Sequence, residues 1–138
     1  MREQFQQELT YLQGQLSTMF QEVNLSLEDT LAIFADQDYL RAQAIMEHDR
    51  LINQKEQDIE MDCARLIALQ QPVVADLRLV ISIMQVSSDL ERMGDHVASV
   101  AKSSIKVTKH QQVPAIEEKF IDMGQKVLNV SRETLSIY

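Results

Sequence analysis

Gln71-Pro72-Val73-Val74-Ala75-Asp76-Leu77-Arg78, followed by Ser88-Asp89-Leu90-Glu91-Arg92-Met93-Gly94-Asp95-His96, decides how this chain folds. Pro72 fits the first turn of a helix, where the amide that proline lacks would be unsatisfied anyway. The helix that follows reads to about Val107, with Val73, Leu77, Val80 and Met84 as its core stripe. Residues eighteen apart on an α-helix share a direction, which puts Glu91 at the angle of Val73 and Asp95 at the angle of Leu77. Two carboxylates one turn apart are thus expected at core-facing angles or at the edge of that face. An enclosed, unpaired carboxylate is costly, so something should neutralise the pair.

Upstream, Phe5, Leu9, Leu12, Leu16, Met19, Val23, Leu27, Leu31 and Phe34 recur at steps of three and four and predict an amphipathic helix of about thirty residues. Asp36-Gln37-Asp38 reads as a capping break, with Asp36 or Asp38 accepting the free amides of the next helix. A second helix is expected from about Tyr39 to Leu69, its apolar face given by Ile45, Ile52, Ile59, Cys63 and Leu66. Lys109-His110-Gln111-Gln112-Val113-Pro114 breaks the pattern after the third helix, and Pro114 again suits a helix start. The predicted fold is all-α: an antiparallel three-helix bundle over residues 1–108, then a linker and a fourth helix over 109–138.

The fourth helix repeats the first. Met19 to Phe34 aligns with Met123 to Tyr138 at constant offset, with six identities in sixteen positions. Chance similarity between amphipathic helices is the competing explanation. If the repeat is real, the chain carries one full three-helix unit and the first helix of another, leaving Val127, Thr134, Leu135 and Tyr138 without a partner in their own unit. Such a stripe favours a homo-oligomer or helix exchange between chains.

Composition excludes several functions. The 138 residues suit one domain or slightly more, and three Gly, two Pro and no Trp beside seven Met make a helix-rich mixture. A net charge of −8 leaves no basic surface for nucleic acid or anionic lipid. No run is long and apolar enough for membrane insertion, and the N-terminus lacks a secretory pattern, so a cytoplasmic location is expected. The single Cys63 cannot build a disulfide framework and reads as a small buried hydrophobe. No histidine has a glutamate three residues before it, which disfavours a ferritin-like di-iron oxidase. His96 is expected to be exposed. There is no phosphate loop, no Cys-x-x-Cys and no Gly-x-Ser-x-Gly elbow, so no enzyme is expected.

The acidic residues remain. With the second and third helices turning near residue 71, residues whose numbers add to about 143 lie level, which brings Asp95 beside His48 and Glu91 beside Ile52. Asp49, Asn53, Glu56 and Glu60 form one polar stripe flanking the apolar face of the second helix. Asp49 and Asn53 can therefore reach the patch of Glu91 and Asp95. Four oxygen donors from two packed helices suit a hard or intermediate cation such as iron, manganese or magnesium. A solvated acidic face, or ion pairs to Arg50 or Arg92, is the plain alternative.

Leu69-Gln70-Gln71-Pro72-Val73-Val74-Ala75-Asp76-Leu77-Arg78 with Asp89-Leu90-Glu91-Arg92-Met93-Gly94-Asp95-His96 closely resembles the PhoU family of bacterial phosphate-transport and phosphate-signalling regulators. The resemblance continues through Glu47-His48-Asp49, Ile52-Asn53, Glu56 and Glu60 and covers nearly the whole chain. It implies two similar three-helix bundles, each with a Glu/Asp-x-x-x-Asp metal motif, of which this chain would hold the first. By position Glu91 and Asp95 match that motif and Asp49 the acid of the second helix, while Asn53 stands where Asp is frequent. Iron is the foremost metal implied, with manganese, magnesium or zinc as alternatives. The implied role is a cytoplasmic, non-enzymatic adapter restraining the phosphate-starvation response, with the ATPase subunit of a phosphate ABC transporter and a sensor histidine kinase as partners. A metal-binding helical oligomerisation or metal-storage protein without a phosphate role is the other reading.

Overall fold

The computed structural model describes residues 2–36, 39–107 and 114–137. They form four helices: α1 (Arg2–Asp36), α2 (Tyr39–Gln70), α3 (Val74–Val107) and α4 (Pro114–Ile137), with no strand among the described residues. The capping role of Asp36 and Asp38, the break before Pro114 and the place of Tyr138 in the apolar stripe fall outside what is described.

α1, α2 and α3 pack against one another as the expected bundle, and α4 packs on α1 alone. The core runs along α1 through Phe5, Leu9, Leu12, Leu16, Met19 and Val23, and it is closed by Ile52, Ile59, Cys63 and Leu66 of α2 and Val80, Ile83 and Leu90 of α3. Burying each large aliphatic side chain here contributes roughly 1.5–3 kcal/mol. A second cluster, Ile33, Ala42, Ile45, Val97 and Ala101, continues the core toward the other end.

The stripe on α3 differs from the sequence expectation. Val80 is fully buried, but Leu77 and Met84 are only partly so and Val73 is 64% exposed. The buried positions are Val80, Ile83, Ser87, Leu90, Val97, Ala101 and Ser104, with Gly94 in register among them. They follow steps of three and four that keep a 3.5-residue repeat. Against a 3.6-residue helix such a seam drifts by ~20° per heptad, or ~50° over eighteen residues. Glu91 is therefore half-buried and Asp95 exposed, at the rim of the core face rather than on it.

Pro72 also lies differently. α3 begins at Val74, and its first backbone bond runs from the Leu77 N–H to the Val73 carbonyl at 2.8 Å. Pro72 thus precedes the helix instead of occupying its first turn. Gln71 ends α2 with a left-handed φ of 43°, its N–H donating to the Ile67 carbonyl at 3.1 Å. Left-handed termination of this kind reverses the chain within three residues and sets α3 antiparallel to α2.

The two repeated segments pack against each other. Gly124 abuts Leu31, Leu135 joins the core cluster that contains Phe20, and Leu128 is buried. The Ser131 hydroxyl bonds the Asn24 side-chain oxygen, Arg132 donates to Glu28 at 2.7 Å, and the rings of Phe34 and Phe120 meet tilted by 34° with centroids 4.5 Å apart. α4 thereby folds back on its own bundle, running antiparallel to α1. Leu135 thus finds a partner in its own chain, while Val127 stays exposed.

Candidate metal centre

The turn at residues 71–73 sets the register of α2 against α3, and the register places the acidic residues. Gly94 stands directly opposite Asp49: a Cβ at Gly94 would lie 3.1 Å from Asp49 Oδ1 and 3.4 Å from Ile52 Cγ2. The absent side chain is what lets the Asp49 carboxylate reach α3 between Glu91 and Asp95.

Asp49 lies beside Asp95 and Asn53, and Glu91, one turn before Asp95, lies beside Asp95 as well. Carboxyls this close oppose each other's ionisation. Burial first, then the Asp95 hydrogen bond and charge, push Asp49 up to about 6, against a smaller opposing pull from His48 and Asn53. The Asp95 hydrogen bond first, then burial and the charges of Asp95, Glu56 and Asp49, push Glu91 up to about 7. Glu56 is also raised, by burial and by Glu60 beside it.

The plain alternative of neutralisation by arginine is not what the structure contains. Among the ion pairs of the described residues none joins Asp49, Glu91 or Asp95 to a lysine or arginine, and Arg92 turns instead toward Asp89 at 4.0 Å. Two oxygens in the cluster, Asp49 Oδ1 and Asn53 Oδ1, are buried with no hydrogen-bond partner. A buried oxygen without a donor costs about 1–3 kcal/mol. A cation would supply what these oxygens lack, and the donor set is the all-oxygen kind that hard and intermediate metals take. Among the described residues no three His, Cys, Asp or Glu side chains converge closely enough to enclose an ion as they stand.

All four residues singled out from the sequence, Asp49, Asn53, Glu91 and Asp95, therefore meet on one α2–α3 face. Two further participants were not assigned to the site there. Glu56 acts on Glu91 electrostatically, although it was already visible in the polar stripe. Gly94 opens the space for Asp49, and its number pairs with 49 in the hairpin register, so the signal was present. Cys63 is buried in the core, its thiol pushed up to about 11 chiefly by burial, and His96 is exposed.

A helical bundle with a carboxylate-lined α2–α3 face defines the class, and comparison with known proteins defines the family. The model of the PhoU domain matches residues 16–104, and the chain belongs to the PhoU domain family. It is similar to the phosphate-specific transport system accessory protein PhoU homolog of Streptococcus pneumoniae serotype 4 (43% identity over 135 residues, 98% of this chain and 62% of that protein). The phosphate-specific transport system accessory protein PhoU of Escherichia coli K12 is 33% identical over 98% of this chain and 56% of its own length. The crystal structure of the phosphate transport system regulatory protein PhoU from Streptococcus pneumoniae superposes with a TM-score of 0.87 at 39% identity, over 96% of this chain and 61% of that one. The chain thus spans about three-fifths of these relatives. Both relatives are named as accessory proteins of the phosphate-specific transport system. Among the described residues no helix is long and apolar enough to cross a membrane.

Proposed function

We propose that the chain serves the control of phosphate uptake and of the phosphate-starvation response, as a non-catalytic adapter in the cytoplasm. The observation that carries this reading is the 43% identity, along 98% of the chain, to a protein named as a phosphate-specific transport accessory. The partners proposed are the ATPase subunit of a phosphate ABC transporter and a sensor histidine kinase. A rigid acidic bundle suits such docking, because a fixed charge pattern steers and selects partners more than it adds raw affinity.

The α2–α3 face is proposed to hold a metal cation, iron foremost and manganese, magnesium or zinc as alternatives, on Asp49, Asn53, Glu91 and Asp95. The two orphaned oxygens and the raised Asp49 and Glu91 carboxyls support this. A bound cation would relieve the carboxylate repulsion and tie α2 to α3, changing the face a partner meets. Two experiments test the two parts. In a bacterium lacking its PhoU protein, expression of this chain should restore repression of phosphate-starvation genes in high phosphate and co-purify the transporter ATPase or the kinase; normal derepression and no partner would refute the adapter role. Titration of purified protein with manganese or iron(II) should raise its melting temperature, and Glu91→Ala/Asp95→Ala should abolish the rise. An equal rise in the double variant would remove the metal from this face.

A further inference from the structure

α3 carries a second seam beside the one that faces the core. Val74, Leu77, Ile81 and Met84 step by three and four, and the same steps continue through Ser88 to Glu91 and Asp95. Because the packed helix keeps a 3.5-residue repeat, residues seven and fourteen apart stay in one row. Ile81 therefore lies in the row of Asp95, and Leu77 and Met84 lie in the row of Glu91. Both carboxylates act on Asp49 of α2, so the two rows run along the α2 side of α3. Val74 and Ile81 are 67% and 41% exposed, with Leu77 and Met84 half-buried beside them. On α2, Ile67 is level with Leu77 in the hairpin register and is half-buried too. The α2–α3 face is thus apolar for about three turns from the hairpin end and acidic for about two turns beyond. Val86, Met93 and Val100, which border α4, lie on the opposite edge of α3.

We propose that this face docks a partner protein through an amphipathic helix that is apolar along one side and carries arginine at one end. Charge complementarity selects that occupant. Among the ion pairs of the described residues none joins Asp49, Glu91 or Asp95 to a lysine or arginine, and Asp49 Oδ1 and Asn53 Oδ1 are buried without a donor. Glu56 and Glu60 extend the negative charge along α2 toward the apolar half. An arginine fork brings several N–H donors at fixed spacing to oxygens that lack them. The exposed aliphatic side chains take the apolar side of the same helix, as in other helix-on-groove contacts. A wholly apolar helix would leave the carboxylates unmet, and a purely basic segment would leave Val74 and Ile81 in water. An arginine and a metal ion need the same oxygens, so docking and cation binding exclude each other here. The proposal rests on the adapter reading above and adds where, and by what chemistry, the partner is held.

Fluorescence anisotropy on the 138-residue chain in chelator tests it. The probe is a labelled synthetic helix with leucines along one face and arginines in its last turn, long enough at about 30 Å to reach from Val74 to Asp95. The expected result is saturable binding that weakens on the order of tenfold in Val74→Gln/Ile81→Gln, and as much in Glu91→Gln/Asp95→Asn. Glu47→Gln/Leu51→Gln, at exposed positions off the face, should bind the probe as wild type does. Manganese added in place of chelator should displace the probe. A probe that does not bind, that binds both face variants undiminished, or that weakens equally in the control variant overturns the proposal. Manganese that raises the melting temperature without displacing the probe overturns it as well. Weakening in both face variants, with manganese changing neither melting nor binding, upholds the docking face and removes only the metal. The same weakening without restored repression in the bacterium lacking PhoU upholds the face and refutes the adapter role alone.

Discussion

The carboxyl cluster makes the metal-free protein lose stability as the solution becomes more alkaline. Folding raises Asp49 from 3.8 to about 6 and Glu91 from 4.5 to about 7. Each group binds its proton more tightly folded than unfolded, so the stability it contributes is complete below about pH 4 and is lost as the pH rises through about 6 to 7. A pKa rise of one is worth about 1.4 kcal/mol. Both carboxyls are partly exposed and both repel through the same Asp95, so screening and that sharing bring the combined loss to about 1–2 kcal/mol. For a chain of this size that is a melting temperature lower by ~3–8 °C. Thermal melts in chelator from about pH 5 to about pH 8, for wild type beside Glu91→Gln, isolate the effect, because the two proteins differ only in that one carboxyl. The amide cannot ionise and keeps the shape, so Glu91→Gln should lose less than half as much stability across the range. Melting curves that run parallel in the two proteins would show that the cluster does not hold its protons as described.

Gly94→Ala separates the fold from the site. Alanine gains ~1 kcal/mol of helix propensity over glycine. Its Cβ, 3.1 Å from Asp49 Oδ1, pushes that carboxylate away. Metal-free stability should stay within about 1 kcal/mol of wild type, while the stabilisation by manganese falls; an undiminished manganese shift would refute the positioning role. Gly124→Ala sends a methyl group into Leu31 at the α1–α4 contact. Overpacking of this kind costs about 1–3 kcal/mol, and hydrogen exchange should show α4 opening before α2 and α3 do. The Cys63 thiol, buried and pushed up to about 11, should be inert to thiol reagents near pH 8 in the native protein and react on denaturation.

The helices were legible because apolar spacing is a local property. The face of α2 read from Ile45, Ile52, Ile59, Cys63 and Leu66 is the buried one in every member. The pairing of Asp49 with the Glu91–Asp95 turn was legible as well, since one tight turn between two regular helices leaves a single register. Where the reading failed, it extrapolated a helix beyond its start or past its true repeat. Val73 was assigned to a helix that begins after it, whereas Glu91 and Asp95, expected at core-facing angles or at the edge of that face, lie at the edge because the packed seam keeps 3.5 residues per turn.

Composition, periodicity and the position of one turn are thus enough for an acidic all-α bundle with four oxygen donors on one face, because each depends only on neighbours along the chain. Which oxygens are left without donors, how closely Asp95 lies to both Asp49 and Glu91, and which face of α4 packs on α1 depend on how helices pack. Those are distances between residues far apart in sequence, and only the folded chain sets them. Gly94 belongs to both: its place in the hairpin register can be counted in advance, but that an absent methyl group makes room for a carboxylate is visible only with α2 and α3 in contact.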